Sequence, residues 1–392
     1  MTTLSSVPSG LRKVPVIKSL NVAGYQYVLP PEQSYGNARA MGFAPRSSII
    51  EVETDEGVTG VGEAAGSPAV VREYLKMVAP YFIGRSVYDF TQIQAYVYNR
   101  MYHSGVQNAL TGCLAGIDVA LLDAAGKTLG LRVCDLLGGC SATRLPVYAS
   151  TGYFSDDPDN SFENMLQKAC KGNFLGAKIK IGRGARSDLE RVNIAREILG
   201  EDILLIVDMN GAYTVDVALE SIRQMAPRNI HWVEEPLPPW DLRGYAELRE
   251  RSPVPLSAGE AHYTAQEFSR LIEQRCIDIL QPSIPYTGGL REAQRIAFLA
   301  QLHNLRVAPH VWGSAIGLAV ACHYGASMPP WPHTDHPARP SFLEFDVGAD
   351  NPLRDRMLKT PIRLEHSHVL LPDGPGLGIE IDRDAIEEYR VC

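Results

Sequence analysis

Apolar and polar positions alternate through VPVIKSLNVAGYQYVL from Val14, a period of two that predicts a strand. Ser47–Thr54 (SSIIEVET) and Val58–Glu63 (VTGVGE) are β-branched runs on either side of the tight Asp55-Glu56-Gly57 turn, which predicts a hairpin. Between about Gly105 and Gly130 the pattern changes period. Ala109, Cys113, Ile117, Ala120, Leu121 and Ala124 recur at three- and four-residue steps, which predicts a helix with a wide apolar face, ended by Gly126-Lys127 and Gly130. Residues 1–14 read as a loose tail and residues 15–140 as an α+β domain.

From Leu145 onward short apolar runs alternate with helical stretches: LPVYAST, AKIKIG, ILLIVDMN, IHWVEEP, VPLSAGE, CIDILQPS, LRVAPH and FLEF. Strands that are apolar on both faces and separated by helices predict a parallel sheet covered on both sides. One polar residue at each strand end, Lys180, Asp208, Glu234, Glu260, Ser283 and His310, gives spacings of 28, 26, 26, 23 and 27. Eight such units close into a (β/α)8 barrel of about 250 residues, expected here over residues 141–350. The remainder, 351–392, is too short for another unit and is expected to return to the N-terminal domain. Its DGPGLGIE stretch at Asp373–Glu380 is turn chemistry.

Composition narrows the function. Of 392 residues 45% are hydrophobic, enough to fill such cores, and 37 Lys+Arg against 45 Asp+Glu leave a net charge of −8. That balance speaks against nucleic acid as the main partner. Seven scattered cysteines without a CxxC form neither a disulfide framework nor a thiolate metal site, and read as small buried hydrophobes in a reducing compartment. The first fifteen residues lack the apolar core of a leader, and no run of about 18 uninterrupted apolar residues occurs. The expectation is a cytoplasmic protein with no membrane partner.

The strand ends carry the chemistry. Burying an unpaired ion is far costlier than solvating it, so a charge on a barrel strand has to be used. Lys178 and Lys180 are two apart and share one face, and Asp208 and Asn210 repeat that geometry on the next strand. Glu234 and Glu260 follow on the next two. Three acids converging at one barrel mouth supply the hard oxygen ligands that Mg²⁺ prefers. Any single strand-end acid is more often a helix cap or a salt bridge, but recurrence at one period favours the cluster. Glu235 faces the other way and is expected to be a supporting or surface carboxylate, whereas His310, at a later strand end, is expected to carry a proton. A partial Gly182-x-Gly184 opens a helix after a strand, with Asp208 downstream, as in dinucleotide-binding units. The third glycine is Ser187, and two lysines occupy the strand, so that reading fails.

As a set, Lys178-Ile179-Lys180, Asp208-Met209-Asn210, Glu234-Glu235-Pro236, Gly259-Glu260, the loop from Pro282 to Gly289, Pro309-His310 and Leu343-Glu344 resemble the enolase superfamily. The KxK with a later His resembles the mandelate racemase / muconate lactonizing enzyme family, mandelate racemase subgroup. The match runs the whole chain, including GIDVALLDAAGK, LLGG, NPLR and PDGPGLGIEID, and the PHVWG run is similar to galactarolactone cycloisomerases within that family.

The resemblance implies a capping domain on a modified TIM barrel, (β/α)7β. It implies Asp208, Glu234 and Glu260 as Mg²⁺ ligands and Lys180 as the proton-abstracting base. Lys178 would support that base and the substrate carboxylate, Asn210 would be a polar partner of the substrate, and Glu344 a hydrogen-bonding acid. The shared chemistry is removal of a proton α to a carboxylate through an enediolate. One departure stands out: the family's usual aspartate after the sixth strand is Ser283 here, leaving His310 without the carboxylate that would make it a good base. A poorer base can still be an acid, which favours a sugar-acid dehydratase or a lactone cycloisomerase over a racemase or epimerase. A non-catalytic barrel binding Mg²⁺ and acids is the remaining alternative, and the lysine pair argues against it. Tyr35, Asn37, His103, His262 and Trp312 are candidate substrate contacts; the partner is a small carboxylate, and the resemblance implies a homo-oligomer.

Overall fold

The computed structural model describes residues 14–42, 44–329, 342–348 and 350–392; all of the expected tail except Val14 lies outside them. Near the N-terminus four strands form: β1 (Ile17–Gln26), β2 (Tyr35–Gly36), β3 (Arg46–Thr54) and β4 (Thr59–Ala64). β1, β3 and β4 make a three-stranded antiparallel sheet, as the alternation and the turn predict. β1 is shorter than the alternating run, because the chain leaves the sheet after Gln26.

The predicted helix spans Ala109–Leu129, begun by the Asn108 side chain accepting from the Leu110 amide and ended at left-handed Gly130. Gly126 does not stop it, contrary to the sequence reading. A Cβ there would lie 2.6 Å from the Leu131 carbonyl oxygen and 2.7 Å from Gly376 Cα, so the glycine admits another segment of backbone. This helix is long and apolar enough to cross a membrane, but 94% of its most apolar window is buried inside the protein, where it serves as the core of the cap. β4 lies directly on it: a Cβ on Gly60 would meet the Ala120 oxygen at 2.0 Å, and one on Gly62 the Gly116 oxygen at 2.2 Å. Gly62→Val is therefore expected to force strand and helix apart and cost about 1–3 kcal/mol, read as a lowered thermal midpoint. An unchanged midpoint would mean that the two surfaces separate freely.

The second layer is the barrel. Its strands are β5 (Arg144–Thr151), followed after the short β6 (Phe154–Ser155) by β7 (Gly176–Lys180), β8 (Leu204–Asp208), β9 (Ile230–Glu234), β10 (Leu256–Ala258), β11 (Ile279–Leu280), β12 (Arg306–Val307) and β13 (Leu343–Asp346). They pair in parallel in the order β13-β5-β7-β8-β9-β10-β11-β12 with helices between successive strands, the (β/α)7β arrangement under an N-terminal α+β cap. β2 pairs with β6, tying a cap loop to the first strand's exit.

Two strands remain, β14 (Leu364–Glu365) and β15 (His368–Leu370), and β15 adds antiparallel to the start of β5. The last segment thus docks on the barrel before it reaches the cap, where Leu377 N donates to Asp123 Oδ1 and Gly24 N to the Cys392 oxygen. Cys113, Cys134, Cys276 and Cys322 are buried as expected; Cys170 is exposed, and Cys140 and Cys392 are half-buried, correcting the uniform expectation.

Candidate active site

The barrel interior is floored by Tyr148, Ile206, Trp232, Ile279, Ala308 and Phe342, an apolar layer drawn from most of the barrel strands. Above it the inward positions turn polar. Lys178 and Lys180 project from β7 to the same side, and Ile179 packs outward in the main core. Strand register sets Lys180 beside Asp208 and Asp208 beside Glu234, and Glu260 follows two residues after β10. Oxygens of Asp208, Glu234 and Glu260 all lie within 4.8 Å of one another, which fits one divalent cation among three hard ligands.

Both lysines are bound into this cluster. Lys178 Nζ lies 2.5 Å from Glu234 Oε1, 2.8 Å from Glu344 Oε1 and 3.7 Å from Asp208 Oδ2; Lys180 Nζ lies 2.5 Å from Asp208 Oδ2. Burial disfavours the Lys178 ammonium, but the Glu234 and Glu344 carboxylates outweigh it and hold its pKa well above the usual lysine value. Lys180 is also raised, burial and Lys178 being overridden by Asp208. Burial likewise opposes ionisation of Asp208, and the two lysines reverse that and lower its pKa. Glu344 behaves the same way: Lys178 and His310 outweigh burial and bring it down to about 2. Its second oxygen accepts from the Val311 amide at 2.9 Å, so the carboxylate bridges β13 to the segment that carries His310.

His310 Nδ1 faces Ser283 Oγ at 3.2 Å. Its other nitrogen, Nε2, has Glu260 at 3.5 Å and Glu344 at 4.0 Å. Nδ1 thus meets a hydroxyl where the usual aspartate is missing, and the carboxylates near the ring, Glu260 and Glu344, lie at Nε2 instead. Asn210 adopts a left-handed backbone (φ 44°) and donates through N and Nδ2 to Asp208. Its buried Oδ1 has no hydrogen-bond partner among the described residues and stays available to a ligand.

A cavity of about 610 Å³ opens over these groups, walled by Lys180, Asn210, Glu260, His310 and Glu344 from the barrel and by Asn37, Arg46 and Glu63 from the cap. Trp312 lines it as well. Three other candidates do not. His262 is buried against Phe268 with Nε2 on the Pro239 oxygen at 3.1 Å, and burial pushes its pKa down to about 4. The turn closed by His262 N on the Gly259 oxygen directs it there. Tyr35 is buried behind the wall, edge-on to Tyr153 at 5.1 Å. His103 stacks on Tyr102 in an exposed turn.

Tyr153, Arg46, Glu63, Tyr263, Tyr286 and Gln281 were missed in the sequence. Gln281 Nε2 donates to Glu234 Oε2 at 2.6 Å, and Lys180 Nζ lies 5.5 Å over the Tyr153 ring. Only the Tyr263–Tyr286 pair carried a signal, because it flanks Glu260 and Ser283. Glu235 is buried rather than superficial, and burial together with Glu260 and Asp208 raises its pKa well above the usual carboxylate range.

Residues 39–138 match the mandelate racemase / muconate lactonizing enzyme N-terminal domain, and residues 162–385 match the enolase C-terminal domain-like family. The chain belongs to the enolase superfamily. Among its relatives in that superfamily, D-galactarolactone cycloisomerase of Agrobacterium fabrum is 36% identical over 90% of this chain and 93% of its own. Arabinonate dehydratase of Saccharolobus solfataricus is 31% identical over 87% of this chain and 89% of its own. The crystal structure of 3,6-anhydro-D-galactonate cycloisomerase from Zobellia galactanivorans superposes with a TM-score of 0.85 at 31% identity, covering 96% of this chain and all of that one. This enolase-superfamily chain is an enzyme of the lyase or isomerase kind.

Proposed function

We propose that this enzyme removes the α-proton of a sugar acid or sugar-acid lactone and completes the reaction by expelling a hydroxyl or opening or closing the lactone ring. The observation that carries the reading is the lysine pair packed against three convergent carboxylates beneath a polar cavity. The named relatives act on galactarolactone, arabinonate and 3,6-anhydrogalactonate, in line with a small polyhydroxylated acid. Asp208, Glu234 and Glu260 would hold Mg²⁺, which would supply Lewis-acid stabilisation of charge on the substrate carboxylate.

The chain's own residues divide the remaining work. Lys180, at the cavity wall, is the base; Lys178, buried below it between Glu234 and Glu344, keeps a fixed positive charge beneath the carboxylate. Asn210 Oδ1 accepts from a substrate hydroxyl. His310 stands at the same cavity as an acid for a departing oxygen. The test is proton exchange in deuterated water with Mg²⁺ present across a panel of sugar acids and lactones. Exchange followed by loss of water or ring isomerisation is the expected result; no exchange with any member would overturn the proposal and return the non-catalytic reading.

The Ser283 hydroxyl on His310 Nδ1 favours one-sided chemistry over racemisation, because it brings no negative charge to that nitrogen. Ser283→Asp is expected to make His310 a better base and to raise the share of inverted product on the best substrate by at least several-fold. A wild type that already interconverts two stereoisomers rapidly, with exchange lost in His310→Asn, would transfer the assignment to a racemase.

A further inference from the structure

Most charged groups facing the cavity are already engaged. Glu344 pairs with Lys178, Glu260 faces His310, and Glu63 is buried beside the Ser47 and Ser314 hydroxyls and the Gly317 amide. Arg46 is the exception. It opens β3 at the cap side of the cavity, its side chain is exposed, and among the described residues it has no ion pair or hydrogen bond. The cavity also holds the acids Glu63 and Glu260, and the Tyr286 phenol feels the charge of Arg46 together with both of them, but neither forms an ion pair with Arg46 among the described residues.

An arginine fork is geometrically matched to a carboxylate, and a neutral polyol end gains little from it. The reacting carboxylate is committed to the opposite, barrel side, beside Lys178, Lys180 and Asn210. We infer that Arg46 receives a second carboxylate, so that the substrate carries an acid group at each end, as an open diacid or as its lactone with one carboxylate free. The inference rests on the sugar-acid reading above and narrows it to dicarboxylates. A cavity of about 610 Å³ has room for such a chain with both ends engaged.

Matched acids separate the two ideas. With Mg²⁺ present, binding by calorimetry and solvent-deuterium uptake by NMR are measured for the diacid and monoacid of the galacto, gluco and manno series, galactarate against galactonate being the first pair. In at least one series the diacid is expected to bind about tenfold or more tighter and to exchange faster. That preference should collapse in Arg46→Gln and survive in part in Arg46→Lys. Exchange with monoacids at least as efficient as with diacids, or an equal loss for both acids in Arg46→Gln, overturns the dicarboxylate inference and leaves the proton-abstraction reading standing. No binding or exchange with any acid or its lactone removes both.

Discussion

Lys180→Met is expected to lower α-proton exchange by about 10²–10⁴-fold or more, the contribution of a positioned general base, while leaving the metal site able to load. The ammonium nitrogen sits at the end of β7, 2.5 Å from Asp208 and within reach of the cavity, whereas Lys178 is fully enclosed between Glu234 and Glu344. Losing a proton costs Lys180 one close ion pair, to Asp208, but costs Lys178 two, to Glu234 and Glu344. Lys178→Met should therefore differ in kind: Glu234 and Glu344 lose their shared counter-ion in a dry site, so stability and carboxylate binding fall together. NMR of substrate in deuterated water, with circular dichroism as the folding control, distinguishes the two variants. Exchange that persists in Lys180→Met would put the base elsewhere.

The second large effect is on the metal. Substituting one of three hard ligands should weaken Mg²⁺ binding by roughly 100-fold or more, since even changes behind a ligand cost 10–100-fold. The three acids are not equivalent tests. Asp208 and Glu234 also neutralise the buried lysines, so their amides disturb the fold as well as the site. Among the described residues Glu260 pairs with no lysine, its charged contact being His310 at 3.5 Å, and its side chain is 25% exposed, so Glu260→Gln tests the metal with the least disturbance of the buried ion pairs. Calorimetric titration of Mg²⁺ into folded Glu260→Gln protein should show the loss. Wild-type affinity in that variant, and in Asp208→Asn and Glu234→Gln, would sink the assignment.

These residues were legible because of a physical penalty. A lysine or carboxylate on a strand buried on both faces is expensive unless it has work to do, so a recurring charge at spacings of 28, 26 and 26 residues marks the barrel mouth without any coordinates. Ser283 was singled out by the resemblance instead, as the residue standing where a carboxylate was expected, and its hydroxyl meets His310. What escaped was set by tertiary docking rather than by local pattern. Arg46 and Glu63 sit near the ends of cap strands that are buried along most of their length, and nothing in RSSIIEVET or VTGVGE distinguishes a residue that faces a cavity from one packed in the core. His262 failed for the opposite reason: it follows Glu260 closely in sequence, but a single turn is enough to rotate it onto a backbone carbonyl.

The manner in which the two ends of the chain meet has a bearing on synthesis. Gly24 donates to the Cys392 oxygen and its own carbonyl accepts from Val391 at 2.8 Å, Arg383 pairs with Glu51, and Asp123 receives Leu377. A nascent chain emerging from the ribosome therefore presents the cap's sheet and helix long before the segment that closes their outer edge has been translated. Throughout that interval the edge of β1 and the buried Asp123 carboxylate wait for residues that lie more than 250 positions downstream. Chaperone dependence, and sensitivity to stalling late in translation, should concentrate on this seam, which joins segments more than 250 positions apart.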